Sequence, residues 1–346
     1  METKLSVVSV KAAPAVVQKK IDLLFMQRAL ELAVLGRGQV SPNPMVGCVI
    51  ATQSGQIIGE GWHQQYGQAH AEVNAIRSVS SANRFLLPTS TAYVTLEPCS
   101  HFGKTPPCAD LLIAENVARV VVGNDDPNPL VAGRGLQKLR DAGIEVETGL
   151  LAEIGRHLNR RFFTFFEQKR PYITLKWAET ADGFIAQSDG KPLVVSSLLS
   201  RTRSHQWRSQ EDAILVGTNT AQNDNPRLNV RLWTGRNPLR IVLDPQNRLP
   251  KHLHLFDQSQ PTLRYETTDL SFILGDLYQR KVQSILVEGG AKLLQSFLNQ
   301  GLFDEIRVFK SLDFVGEGIA APMLPSNLVL RNKEKISTDW LYQYTI

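Results

Sequence analysis

His70, Glu72, Cys99 and Cys108 are the residues whose types and spacing are best suited to chemistry. One imidazole and two thiolates make a zinc ligand set that leaves the fourth tetrahedral position open to water. A metal so held lowers the pKa of its water to about 7, which supplies a nucleophile at neutral pH. Glu72, two residues beyond His70, then serves as a proton carrier rather than a ligand. It takes a proton from the water and delivers it to a ring nitrogen and then to a leaving amine. His70 and Cys108 both fall at expected helix starts, where the positive end of the helix dipole favours anionic groups. Other readings are a closed structural zinc site, or two core cysteines beside a surface histidine. A structural site, however, normally supplies a fourth ligand. The remaining cysteine, Cys48, lies in an apolar run and reads as core packing.

A second feature lies in the other half, where SILVEGG (284–290) runs directly into AKLLQSFL (291–298). Gly289 and Gly290 let the backbone approach a ligand closely, and the helix start presents N–H groups to a phosphate. Turn economy explains many such steps, and no G-x-G-x-x-G follows the first strand of this half, so a Rossmann fingerprint is absent.

The elements that must position these residues alternate between helix and strand. Residues 21–35 have helical apolar spacing and end at Gly36-Arg37-Gly38. Strands are expected at 45–50, 57–63, 92–96, 119–123 and in IEVETG (144–149). Helices are expected from His70, from Cys108 and in GLQKLRDAG (135–143). This order defines a three-layer α/β domain. An Arg- and Phe-rich helix over 152–170 ends before Pro171. Beyond it come strands at 172–179, 213–217, 239–244, 261–266, 284–289 and 305–310, and helices at 196–210, 270–281 and 291–301. The expected organisation is a loosely ordered leader over 1–20, one α/β domain over 21–168 and a second over 169–346.

Composition narrows the class. The chain has 346 residues, 42% of them apolar and 21% charged, which suits two globular domains. Three cysteines argue against a disulfide framework and for a reducing, cytoplasmic compartment. No apolar run reaches the roughly 18 residues of a membrane span. The first twenty residues lack a signal-peptide core. A net charge of +5 is mild for this length and suits a phosphorylated small molecule. Without a Lys/Arg-rich block or aromatic-basic interleaving, an RNA-acting base deaminase is disfavoured, and neither nucleic acid nor membrane is expected as a partner. A zinc-stapled interaction protein is disfavoured by Glu72 beside an incomplete ligand set.

The H-x-E and P-C elements resemble those of the zinc deaminases, which usually separate their two cysteines by two residues. Here eight intervene, SHFGKTPP (100–107). With that spacing, the segments SPNPMVG (41–47), GEGWH (59–63), HAEVNA (70–75), TLEPCSHFGKTPPC (95–108) and DPNPLVAGRG (126–135) resemble the deaminase half of the bifunctional riboflavin-biosynthesis deaminase–reductases. The resemblance runs from about residue 22 to the end of the chain. It implies a cytidine deaminase-like domain followed by a dihydrofolate-reductase-like α/β domain. It also implies deamination of 2,5-diamino-6-ribosylamino-4(3H)-pyrimidinone 5′-phosphate, then reduction of the ribosyl group to ribityl by NADPH. One zinc per chain and a homo-oligomer are expected. Around the zinc, the resemblance assigns substrate contacts to Asn43, His63, His101, Lys104, Asp126 and Asn128.

In the second half, LKWAETADG (175–183) and DAILVGTNTAQNDNPRLNVR (212–231) carry the likeness. It implies that Lys176 steers or protonates the opening sugar. Arg208, Leu228, Arg231 and Glu288 would contact the phosphorylated substrate. Ala178, Val194, Thr220, Asp224, Gly289 and Gly290 would face the dinucleotide. The chain departs from the family pattern at Pro192, Val194 and Pro245. Pro192 has no hydroxyl to offer and Val194 no aromatic face. These departures leave a second reading, a deaminase whose C-terminal domain is inactive or serves only assembly.

Overall fold

The computed structural model describes residues 15–100, 106–129, 131–191 and 193–346. They fall into two compact units, one extending to Asn159 and one from Arg160 onward, with the turn Ser41–Pro44 grouped with the second.

The first unit contains α1 (Ala15–Val34), β1 (Gly47–Thr52), β2 (Ile57–Trp62), α2 (Ala71–Ser78), β3 (Ser90–Leu96), α3 (Cys108–Ala114), β4 (Arg119–Asn124), α4 (Arg134–Asp141), β5 (Glu145–Thr148) and α5 (Ala152–Leu158). Its sheet runs β2-β1-β3-β4-β5. The first three strands pair antiparallel, and the α3 and α4 crossovers make β3, β4 and β5 parallel. Residues alternate faces along a strand, so β1 is buried on both sides. Cys48 and Ile50 pack with Ala71, Ala75 and Leu112 of the next helices. Val49 and Ala51 pack with Phe25, Met26 and Ala29 of α1. The result is the expected three-layer sandwich, and Cys48 is indeed core.

The second unit contains α6 (Arg160–Gln168), β6 (Tyr172–Glu179), β7 (Phe184–Ala186), α7 (Leu198–Gln210), β8 (Ala213–Gly217), α8 (Thr218–Asp224), β9 (Leu239–Leu243), β10 (Thr262–Tyr265), α9 (Leu270–Gln279), β11 (Ser284–Gly289), α10 (Ala291–Asn299), β12 (Glu305–Lys310), β13 (Ile319–Ala320), β14 (Val329–Ile336) and β15 (Asp339–Thr345). Its eight-stranded sheet runs β10-β9-β8-β11-β6-β12-β15-β14. The pairs are parallel as far as β12 and antiparallel beyond it. Ile285 and Val287 of β11 join Ile173 and Leu175 of β6 under α9 and α10. Leu286 faces the other way, toward Trp207 of α7. Period two therefore puts Glu288 and Lys176 on the α7 side of the sheet. Helix α7 is capped by Ser197, whose hydroxyl accepts the Ser200 N–H, and Arg208 in its last turn reaches Glu288 on that face.

Several boundaries differ from the sequence reading. Helix α1 already begins at Ala15, so residues 15–20 are helical and not leader; residues 1–14 lie outside the described set. The single helix expected over 152–170 is two, parted at Asn159. The Asn159 side chain bonds both the N–H and the carbonyl of Met45, each at 2.8 Å. Helix α6 packs within the second unit, with Phe165 against Tyr278 at 4.6 Å between ring centroids and Arg161 paired with Glu211. Helix α8 and strands β7, β13, β14 and β15 had no sequence signal. Helix α8 buries only Ala221, and β14 is exposed along nearly its whole length. Among the described residues, no helix is long and apolar enough to cross a membrane.

Candidate functional site

In the first unit three separate elements converge. His70 is the N-cap residue of α2, Cys108 is the first residue of α3, and Cys99 follows β3. His70 Nδ1 lies 3.6 Å from Cys99 Sγ and 3.4 Å from Cys108 Sγ, and the donor atoms all lie within 4.8 Å of one another. A tetrahedron with Zn–S about 2.3 Å and Zn–N about 2.0 Å has N···S edges of roughly 3.5 Å. The donor set therefore fits zinc in both identity and spacing.

The helix starts shape the charges. Cys99 Sγ accepts the Cys108 N–H at 3.3 Å, and Ala109 N donates to the Cys99 carbonyl at 3.2 Å. The Cys99 thiol is drawn down to about 4, first by the Cys108 thiol and then, against desolvation, by His70 and the Cys108 amide. Glu72, only 3% exposed, is pushed up to about 7 by burial first and by the Cys99 charge second. That value suits a group that both takes and gives a proton near neutrality.

The expected substrate contacts are placed unevenly. His63 is buried, its ring edge-on to His70 at 5.3 Å between centroids. Its Nδ1–H points at the Ala69 carbonyl at 3.1 Å. Burial, first, lowers its pKa, with the Ala69 hydrogen bond opposing. Asp126 is raised to about 7, chiefly by burial, with the Asn128 amide bond opposing and the Glu97 and Cys99 charges adding to the rise. Its Oδ1 accepts the Asn128 N–H at 2.8 Å, so Asp126 and Asn128 form one small turn. Asn43 sits on the Ser41–Pro44 turn that groups with the second unit. His101 and Lys104 lie outside the described residues.

In the second unit Glu288 is the centre. Arg208 grips both its oxygens, at 2.9 and 2.6 Å, and Lys176 Nζ lies 4.0 Å from Oε2. Burial opposes the Glu288 charge, but Arg208 and Lys176 outweigh it and hold the carboxyl down to about 2. Burial lowers the Lys176 pKa, with Glu288 opposing. The remaining Arg208 nitrogen donates to the Asn229 carbonyl at 3.3 Å. Arg208, expected on the phosphorylated substrate, has its guanidinium engaged by Glu288. Arg231 is exposed and bonds the Asn229 side chain at 3.2 Å. Leu228 is 2% exposed and packs with Ile214, Val216 and Val242. Its side chain is therefore core, and only its backbone is left to meet a ligand.

Gly289 and Gly290 end β11 and open α10 as expected. A Cβ on either would lie 3.1 Å from Thr220 Oγ1, so the glycines let the β11 turn approach Thr220 of α8 closely. Helix α10 has no side-chain cap, and its first N–H groups suit a pyrophosphate. Asp224 ends α8, Ala178 is half-buried on the Lys176 face, and Val194 is 78% exposed. Pro192 lies outside the described residues.

Two residues with evident roles were not singled out from the sequence. Glu97 stands inside TLEPC, but its partners lie far downstream in the chain. His205 sits in a polar stretch of α7, buried, with Nδ1 accepting the Arg231 N–H at 3.2 Å. Burial, then Arg208 and Arg231, push it down to about 4. Neutral at working pH, it ties the Arg231 loop to the helix that carries Arg208.

Fold and site together define a two-domain enzyme, a zinc deaminase joined to a reductase. Residues 19–124 match the cytidine and deoxycytidylate deaminase zinc-binding region, and residues 171–341 match the RibD C-terminal domain. The riboflavin biosynthesis protein RibD of Aquifex aeolicus is 41% identical over 325 residues, covering 87% of this chain and 90% of that one. Its Escherichia coli counterpart is 40% identical over 331 residues, covering 85% and 89%. Among solved structures, a Thermotoga maritima diaminohydroxyphosphoribosylaminopyrimidine deaminase/5-amino-6-(5-phosphoribosylamino)uracil reductase aligns with TM-score 0.87 and 36% identity, covering 95% of this chain and 99% of that chain. An Acinetobacter baumannii RibD aligns with TM-score 0.86 and 34% identity, covering 94% and 99%. The chain belongs to the RibD family of bifunctional riboflavin-biosynthesis deaminase–reductases, and it carries both domains.

Proposed function

We propose that this chain deaminates the diaminohydroxyphosphoribosylaminopyrimidine named for its Thermotoga relative and then reduces the ribosyl group of the resulting 5-amino-6-(5-phosphoribosylamino)uracil to ribityl. The observation that carries the reading is the meeting of His70, Cys99 and Cys108 donor atoms within 4.8 Å beside the buried Glu72. His70, Cys99 and Cys108 hold the zinc. When bound, zinc supplies a Lewis acid that acidifies water to about pKa 7. Glu72 accepts one proton of the attacking water and passes it to the ring nitrogen, then takes the remaining proton from the hydroxyl on the ring carbon and gives it to the amino group, which leaves as ammonia while the carbonyl forms. His63, Asp126 and Asn128 line the pyrimidine.

In the second unit, NADPH supplies the hydride when bound. Thr220, Asp224, Ala178, Val194 and the Gly289–Gly290 turn seat it. Lys176 protonates the sugar oxygen as the ring opens, so that C1′ presents an imine. Glu288, aligned by Arg208, orients the sugar hydroxyls, and Arg231 with the Leu228 backbone holds the phosphate end. A reducing, cytoplasmic setting is in keeping with three free cysteines, and a homo-oligomer is the assembly the resemblance implies.

The test is incubation with the diaminopyrimidine phosphate, with and without NADPH, resolved by mass. Without NADPH the expected product has exchanged an imino group for oxygen; with NADPH it has also gained two hydrogens. Deamination alone under both conditions would favour the reading in which the second domain is inactive. Lys176→Ala is expected to stop at the uracil compound.

A further inference from the structure

The turn that carries Asp126 and Asn128 is held by one buried carboxylate. Glu97 is 4% exposed. Its Oε2 accepts the Gly133 N–H at 2.9 Å and the Asp126 N–H at 3.3 Å. Its Oε1 accepts the Gly135 N–H at 2.9 Å and the Leu136 N–H at 3.4 Å. Helix α4 starts at Arg134, and its N-cap residue is Gly133, which has no side chain to offer. The first N–H groups of a helix have no acceptor within it, and a negative charge there is favoured. Glu97 therefore caps α4 from a different segment of the chain, the one that leads from β3 to Cys99.

The loop sequence is built to allow this. Gly133 has φ +80°, and a Cβ on Gly135 would lie 2.0 Å from the Pro98 carbonyl oxygen. At its other end the loop is tied again, since the Glu97 N–H donates to the Asn124 carbonyl at 2.9 Å. Between these anchors the Asn128 carbonyl accepts the Val131 and Ala132 N–H groups at 2.8 and 3.1 Å. The segment from 124 to 136 is thereby indexed to Glu97, two residues before the zinc ligand Cys99.

We propose that Glu97 is a positioning residue of the deaminase: without touching substrate, it sets the Asp126–Asn128 turn at a fixed place relative to Cys99 and so governs how tightly the pyrimidine is held. The inference rests on the reading of Asp126 and Asn128 as substrate contacts. Glu97→Gln keeps the volume but turns one acceptor into a donor facing N–H groups, so the turn shifts while Cys99 keeps its own bonds.

The experiment uses the full chain and compares E97Q, N128A and the double variant. It measures zinc content, thermal unfolding, and steady-state deamination of diaminohydroxyphosphoribosylaminopyrimidine. E97Q is expected to keep its zinc and to raise KM by about tenfold, with kcat changed by less than about threefold, because uniform binding is what is lost. N128A is expected to raise KM comparably, and the double variant to be little worse than the worse single, because a displaced Asn128 has little left to lose. Multiplying KM effects, or zinc loss with a collapse of kcat in E97Q, would overturn the proposal. A raised KM in N128A with a normal KM in E97Q overturns Glu97 alone. A raised KM in E97Q with a normal KM in N128A overturns the role of Asn128 and not that of Glu97. Two normal values overturn both. Should E97Q fail to fold, Gly135→Ala displaces the same turn from Pro98 with the carboxylate intact. The same rise in KM is expected there, and a normal KM would refute the assignment.

Discussion

In the first unit burial, helped by the Cys99 charge, raises the carboxyls of the site, whereas in the second the carboxyl is pulled down by cations already in place. Glu72 and Asp126 both rise to about 7, burial acting first and the Cys99 charge contributing to each. Glu288 is held at about 2, because Arg208 and Lys176 overcome its burial. Anionic donors crowded around one imidazole are a ligand set for a divalent cation and a reservoir for protons. A paired carboxylate is neither; it is a fixed charge that orients neighbours and ligands. The deaminase site is thus organised to move protons and the reductase site to hold shape.

The most severe way to break this contrast is to remove the thiolates. Cys99→Ser combined with Cys108→Ser is expected to abolish zinc binding and ammonia release, as read by metal analysis and product assay. Reduction of the already deaminated compound should continue. Next in size is Glu72→Gln, which should keep zinc and lose deamination by about 10²–10⁴-fold, the span of a general acid–base. Near-normal turnover would remove Glu72 from the mechanism.

In the second unit the sensitive element is the ion pair. Arg208→Ala leaves Glu288 buried with only Lys176 nearby, and breaking a buried pair costs roughly 3–5 kcal/mol. Urea unfolding of the variant should show that loss along with failed reduction. The same pair has a pH signature. Glu288 falls from its ordinary 4.5 to about 2 on folding, so its contribution is complete above about pH 4.5 and fades as pH drops towards 2. Stability of the parent should decline through that window more steeply than stability of Glu288→Gln. The smallest effect is expected at the half-exposed pair Arg28–Glu60, where Arg28→Ala should cost at most about 1 kcal/mol.

How far each site was legible follows from how local its parts are. His70-Ala71-Glu72 lies within one helix turn, and Cys99 and Cys108 belong to a single motif. Helix starts at Ala71 and Cys108 were readable from their own residues, so the metal site was legible as a unit. Gly289 and Gly290 were legible for the same reason, a strand end running straight into a helix. The antiparallel edge strand β14 was not, because a strand exposed along nearly its whole length has no apolar alternation to betray it. The pairing of Arg208 with Glu288 was not legible, because nothing in residues 196–210 reveals that Glu288 stands opposite.

Residue type and short-range spacing by themselves pointed to the candidate ligand set, the proposed proton carrier, the two-domain α/β plan and the Gly-Gly turn. Each depends on chemistry or periodicity within a few residues. The tertiary structure alone decided that Glu97 caps α4, that His205 holds the Arg231 loop, that Arg208 belongs to Glu288 and that Leu228 is core. These outcomes depend on which segments meet across a sheet. A buried polar group takes whatever partner folding brings within hydrogen-bond reach, because leaving it unpaired costs more than any local preference.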